Sequence, residues 1–125
     1  MTIYLDLEDA LRQVKFLGFH VRELGLLEGA LARPKTSLFG ADAYDTLPLK
    51  AAALIHSIVT SHPLIDGRKR TSWTLMITFL LLNGYEIVAE TEDAFDFVLS
   101  IATGDDELTT YAKWIARYLV AETHD

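Results

Sequence analysis

The stretch from Gly67 to Gly84 constrains this chain more than any other. It opens on three consecutive cations, Arg68-Lys69-Arg70, and runs into Trp73 to Leu82, which is apolar apart from Thr74 and Thr78. The segment is too long for an ordinary strand, and its second half has no polar face. A helix that is apolar nearly all round must be buried on every side, so the rest of the chain has to wrap around it. A membrane span needs roughly 20 apolar residues, more than this run offers. The spacing therefore predicts a central core helix over 67–83, with Gly84 supplying a left-handed cap.

The flanking sequence reads as shorter helices. Asp6 is placed to cap a helix over 7–17, with Asp9 three residues on in a variant of the capping box. Leu7, Ala10, Leu11 and Val14 recur at helical spacing. A second helix is expected over 24–33, closed by Pro34, and a third over 49–60 with Leu54, Ile55, Ile58 and Val59 inward. A fifth is expected over 92–102, with Thr91 as N-cap and Gly104 at its end, and a sixth over 110–120. Residues 35–47 have no helical period and read as a surface loop or small hairpin around Gly40, with Phe39 and Tyr44 on either side. Ile87-Val88 suggests a very short strand. The expectation is an all-α fold, a compact bundle of about six helices with a surface flap loop. With no internal repeat and no linker, residues 1–125 read as one domain.

Composition narrows the function classes. There is no cysteine, which excludes a disulfide scaffold and any cysteine-ligated metal. The N-terminus lacks the charged and apolar regions of a secretion signal, so a soluble, cytoplasmic protein with no membrane attachment is expected. The net charge of −7 is uneven. Nine Lys/Arg face eight Asp/Glu through Tyr85, whereas Lys113 and Arg117 face ten acids from Glu86 onward. An acidic body argues against direct nucleic-acid binding, which depends on neutralising phosphates. Against that background the cluster at 68–70 stands out.

Its placement matters as much as its charge. The first turn of a helix favours acidic side chains, because free N–H groups and the helix dipole make that end positive. Three cations there are electrostatically poor unless an anion binds, and phosphate is the natural candidate. Asp66 sits beside this site, suited to Mg²⁺, which takes one or two carboxylates together with phosphate oxygens. His62, four residues earlier across a turn opened by Pro63, is the usual kind of general base for a hydroxyl nucleophile. A base, a metal carboxylate and an anion cradle this close together suit phosphoryl or nucleotidyl transfer. The Walker pattern is absent.

The segment His62-Pro63-Leu64-Ile65-Asp66-Gly67-Arg68-Lys69-Arg70 resembles the signature of the Fic/Doc family, His-x-Phe-x-Asp/Asn-Gly/Ala-Asn-Lys/Gly-Arg. Lys69 is similar to the death-on-curing (Doc) toxin branch, since AMP-transferring Fic enzymes usually carry glycine there. Ile3-Tyr4-Leu5, Gly25 to Glu28, Ala32-Arg33-Pro34, Lys50-Ala51-Ala52 and Leu81 to Tyr85 extend the resemblance over most of the chain. The resemblance implies a toxin of a toxin–antitoxin system. Such a toxin would use ATP and Mg²⁺ to phosphorylate a hydroxyl of elongation factor Tu, arresting translation, and a Phd-type antitoxin would restrain it. It implies His62 as catalytic base, Asp66 as metal ligand, and Gly67, Lys69 and Arg70 as phosphate-binding residues. The loop 35–47 would match the flap that docks the target segment.

Two positions depart from the signature. Leu64 replaces an anchoring phenylalanine, at some packing cost. Arg68 replaces a small neutral asparagine; it can add a phosphate ligand, occupy the anion site itself or blunt activity, and the reading favoured is reduced catalysis with phosphate binding kept. Two alternatives stand beside the kinase: a Fic-type AMP transferase, and a catalytically inactive homologue that acts by binding. Of the other singled-out residues, Asp66 is expected to double as N-cap of the central helix. His56, Trp73 and Trp114 are expected in or near the core.

Overall fold

The computed structural model describes residues 1–61, 63–64, 67–104 and 106–122. Six helices carry the fold: α1 (Leu7–Phe16), α2 (Leu24–Ala32), α3 (Leu47–Ser61), α4 (Arg68–Leu82), α5 (Thr91–Thr103) and α6 (Leu108–Tyr118). A single 3₁₀ turn, Arg33–Lys35, closes α2, with Pro34 supplying its fixed φ. Two small antiparallel pairs complete the described residues, β1 (Ser37–Leu38) with β2 (Ala41–Asp42), and β3 (Tyr85–Ile87) with β4 (Leu119–Ala121). The all-α bundle expected from the sequence is the fold.

The helix at the centre is α3. All nine of its buried residues lie between Lys50 and Val59, and it packs most extensively against α4 and α6. Ala51, Ala52 and Ala53 are completely buried, and their small side chains let neighbouring backbones approach closely. Leu54, Ile55, Ile58 and Val59 point inward as expected. On α4 the buried side chains are Leu75, Met76, Phe79 and Leu80, together with Thr71 and Ser72. Leu81 and Leu82 are each 40% exposed, so α4 is buried along one side and not all round. The expectation erred because an apolar run does not by itself show which of its side chains the neighbouring elements cover.

Capping follows local chemistry. The Asp6 side chain accepts from the Asp9 N–H, as the spacing requires. Gly84 has φ +86 and ends α4 as a left-handed cap. Asn83 then bonds the N-terminal segment reciprocally: it accepts from Ile3 N–H at 2.8 Å and donates to Ile3 C=O at 2.8 Å. Thr91 is the first residue of α5; its N-cap is Glu90, which makes no side-chain cap. The sixth helix ends at Tyr118, and Leu119–Ala121 pairs with Tyr85–Ile87 as a strand. That partner strand was hidden from the sequence because its pairing is long-range and its three residues continue an apolar helical pattern.

Candidate active site

The α3–α4 connection begins directly after Ser61 and ends where α4 starts at Arg68. His62, Ile65 and Asp66 lie outside the described residues, so the geometry here is that of the frame around them. Leu64 is buried, 4% exposed, and keeps the anchoring role expected of its position. Gly67 is the N-cap of α4, the place anticipated for Asp66, and it makes no side-chain cap.

Gly67 adopts φ +74, ψ 19, a left-handed conformation that costs an ordinary residue about 1–2 kcal/mol. A Cβ at this position would also collide with three ring carbons of Phe19. Glycine is therefore required twice over. From Gly67 the chain turns into α4, whose first helical bond runs from Thr71 N–H to Gly67 C=O at 2.9 Å. The N–H groups of residues 68–70 consequently lie before the ladder begins, and there is no acid in that turn. Lys69 and Arg70 are exposed and have no carboxylate partner among the described residues, while Arg68 is half-buried. Behind them Thr71 is fully buried, and its hydroxyl has no hydrogen-bond partner among the described residues.

Beside these cations a slot of about 480 Å³ opens between α4 and α5. Lys69 and Arg70 stand at one end; Trp73, Ala94, Phe95, Val98 and Leu99 form apolar walls, and Thr91 adds a hydroxyl. Its volume lies in the range of small-molecule pockets. An apolar, aromatic-lined slot joined to a cationic helix start matches a ligand with a flat apolar end and an anionic end.

The connection is held from outside by the α1–α2 linker, which the sequence did not single out. Val21 forms a β-bridge with Leu64, and the N–H groups of Arg22 and Glu23 both donate to Pro63 C=O, at 2.8 and 3.2 Å. No local pattern betrays such long-range main-chain bonds.

The loop expected at 35–47 is a hairpin in register Ser37↔Asp42 and Leu38↔Ala41. Phe39 and Gly40 both have positive φ, +53 and +81, as a tight two-residue hairpin turn demands. Two cations hold it. Lys50, 3% exposed, donates to Asp42 Oδ2 at 3.1 Å and to Tyr44 C=O at 2.5 Å, with its ammonium 5.9 Å from the Tyr4 ring centre. Burial pushes the Lys50 pKa down, but the hydrogen bonds to Asp42 and Tyr4 outweigh it, and the net shift is upward. Arg33 donates to the Tyr44 hydroxyl at 3.0 Å, to Ser57 Oγ at 2.9 Å and to His56 Nδ1 at 2.9 Å. Since a guanidinium only donates, His56 Nδ1 accepts and its ring is neutral. Burial and then the Arg33 charge lower the His56 pKa. The ring also stacks on Tyr111 of α6, so His56 links the hairpin's anchor to the core, as its expected location suggested.

Trp73 and Trp114 are half-buried against the core; Trp73 meets Phe97 edge-on and Trp114 stacks on it at 4.0 Å. Among the described residues no group of three or more His, Asp or Glu could hold a metal ion, and no helix is long and apolar enough to cross a membrane.

A helical bundle with a cationic helix start at the α3–α4 turn and a hairpin anchored to α3 by Lys50 and to the 3₁₀ turn by Arg33 defines a recognisable class. The model of the Fic/DOC family matches residues 3–80, and the chain belongs to that family. It is also 42% identical over 126 residues to a protein named "Toxin Doc" from Mycolicibacterium smegmatis, an alignment that covers 97% of each chain. The match reaches well past the signature, taking in the α1–α2 linker, the hairpin and both of its cationic anchors.

Proposed function

We propose that this chain is a Doc-type toxin of a toxin–antitoxin system, a kinase that moves the γ-phosphate of ATP to a hydroxyl side chain of elongation factor Tu. The observation that carries the reading is the start of α4, where the chain turns out of Gly67 and the exposed Lys69 and Arg70, with no carboxylate partner among the described residues, stand beside an aromatic-lined slot. Gly67, Arg68, Lys69 and Arg70 bind the nucleotide phosphates, and the α4–α5 slot accepts the flat apolar base. His62, directly after the last residue of α3, takes the proton from the target hydroxyl as that oxygen attacks the γ-phosphorus. The leaving group is ADP. Cations at the helix start stabilise the charge spread over the transferring phosphoryl oxygens. Asp66 would hold Mg²⁺, which when bound neutralises part of the phosphate charge.

Three features support the remaining parts. The relative's name supports the toxin assignment and, with it, an antitoxin of the Phd type. A broad groove between α1 and α4, with Phe16 and Leu82 exposed along it, offers a surface for a partner helix. The hairpin, held from below by two cations, would dock the target segment.

Incubation of the chain with γ-labelled ATP, Mg²⁺ and elongation factor Tu tests this reading, followed by mass spectrometry of the factor. Transfer of phosphate that disappears with His62→Ala is expected. An adenylyl adduct would replace the kinase by an AMP transferase. Growth arrest that survives His62→Ala would favour a non-catalytic binding protein. Arg68→Asn is expected to raise the rate at least several-fold while leaving nucleotide affinity within a few-fold.

A further inference from the structure

We infer that Phe19, in the linker between α1 and α2, is a positioning residue for the phosphate cradle at the start of α4. The inference rests on the reading of Gly67 to Arg70 as that cradle. The face of the Phe19 ring lies against Gly67, so closely that a Cβ added there would collide with Cε1, Cε2 and Cζ at equal distances, above the ring centre. A long side chain could swing away from such a contact. Phe19 has little freedom to do so, because the linker is pinned on both sides of it.

On one side Phe19 N–H donates to Val14 C=O at 3.1 Å, just past the end of α1. On the other Val21 bridges Leu64, and Arg22 and Glu23 donate to Pro63 C=O. The linker and the α3–α4 connection are thus joined by main-chain bonds at one end and by a ring against a glycine at the other. The ring is a backstop. It sets where the Gly67 Cα can sit, and Gly67 sets the direction in which the N–H groups of residues 68–70 emerge. Phosphate binding through first-turn N–H groups depends on that direction, since hydrogen bonds weaken steeply with misalignment.

The geometry makes a prediction that a generic packing role does not. Phe19→Tyr keeps the ring face over Gly67, because its added hydroxyl leaves in the ring plane and not along the normal that meets the glycine. Phe19→Leu shortens the side chain and leaves the turn unsupported but unobstructed.

The full chain and its variants would be titrated with the imido analogue of ATP in the presence of Mg²⁺, with thermal unfolding of each measured alongside. Phe19→Leu is expected to weaken binding at least three-fold while remaining folded, and Phe19→Tyr, which keeps the ring face, to stay within two-fold of the parent. Gly67→Ala is expected to cost clearly more alone than when added to Phe19→Leu, where the obstructing ring face is gone and only the left-handed φ still opposes the Cβ. Kinetically, Phe19→Leu should raise the KM for ATP more than it lowers kcat. Equal affinity of the parent and Phe19→Leu would overturn the positioning role while leaving the cradle intact, as would Gly67→Ala and Phe19→Leu effects that simply multiply. Failure of the parent itself to bind the analogue would sink the cradle, and the role of Phe19 with it.

Discussion

Two loops leave the helical bundle, and they are held by opposite means. The hairpin of β1 and β2 hangs on side-chain charge: Lys50 grips Asp42 and the Tyr44 carbonyl, and Arg33 grips the Tyr44 hydroxyl. Among the described residues, the α3–α4 connection is held by neutral contacts, the Pro63 carbonyl bonded twice by the linker and the Phe19 ring against Gly67. Charge has a different use at each loop. At the hairpin the cations are buried or half-buried and paired, so they serve structure. At the start of α4, Lys69 and Arg70 are exposed and have no carboxylate partner among the described residues, so their charge faces solvent and a ligand. Cations that bind ligand cannot also be spent on holding the loop, and main-chain bonds leave them free.

The difference breaks most visibly at Lys50. Lys50→Met keeps most of the buried volume but removes three charge-assisted contacts, while Asp42, 56% exposed, can return to water. Bonds to charged groups contribute about 1.5–3 kcal/mol each in favourable cases, and the solvated partner lowers the net, so a loss of about 1–2 kcal/mol is expected. Hydrogen exchange should show the effect to be local. The Ala43 amide, bonded to Thr36 C=O, is expected to lose protection, while the Arg22 and Glu23 amides keep theirs. Equal loss at both loops would mean that they are not held independently. Because the Lys50 pKa is raised in the folded chain, its contribution is complete below 10.5, the ordinary lysine value, and fades only as pH rises through the higher folded value. The hairpin's protection should therefore not change from neutral pH to mildly alkaline pH.

Acid sharpens the contrast through His56. Its folded pKa lies below 6.5, so between the two values the unfolded chain binds more protons than the folded one. Stability is then full above about 6.5 and falls as pH drops through and below it. Protonation also removes the acceptor that Arg33 uses. A melting temperature that falls on acidification from pH 7 to 5.5, with the fall reduced in His56→Gln, is the expected result. An identical fall in the glutamine form would assign the dependence to other groups. The effect should be smaller than that of Lys50→Met, because only one of Arg33's bonds is lost.

What could be read in advance follows the same division. The helices, the Asp6 and Gly84 caps and the cation cluster on the α4 start are local in sequence, and each was legible from spacing and residue type. The β4 strand, the Val21–Leu64 bridge and the Phe19–Gly67 contact join residues distant in the chain, and no periodicity encodes them. Arg33 and Lys50 lay inside stretches that resemble the family, yet their hold on the hairpin depended on where α3 passes beneath it. The catalytic assignments to His62 and Asp66 rest on the signature, since those residues lie outside the described ones.

The smallest expected effect concerns Thr71, one turn behind the cradle. A fully buried hydroxyl without a partner costs about 1–3 kcal/mol relative to a satisfied one, and nothing among the described residues offsets that cost. Valine has nearly the same shape and a similar helix propensity, so Thr71→Val removes the cost without opening a cavity. A gain of about 0.5–1 kcal/mol in unfolding free energy is expected from denaturant titration. Such unsatisfied groups persist at functional sites when a bound state makes use of them. If the hydroxyl finds its partner once phosphate enters the first turn of α4, the stabilised variant should bind the ATP analogue about three-fold more weakly. A gain in stability with affinity unchanged would confine phosphate recognition to Gly67 and the exposed cations. A loss of stability would mean that the hydroxyl is already satisfied, and that the neutral frame around this loop holds one more bond than the contrast with the hairpin allows.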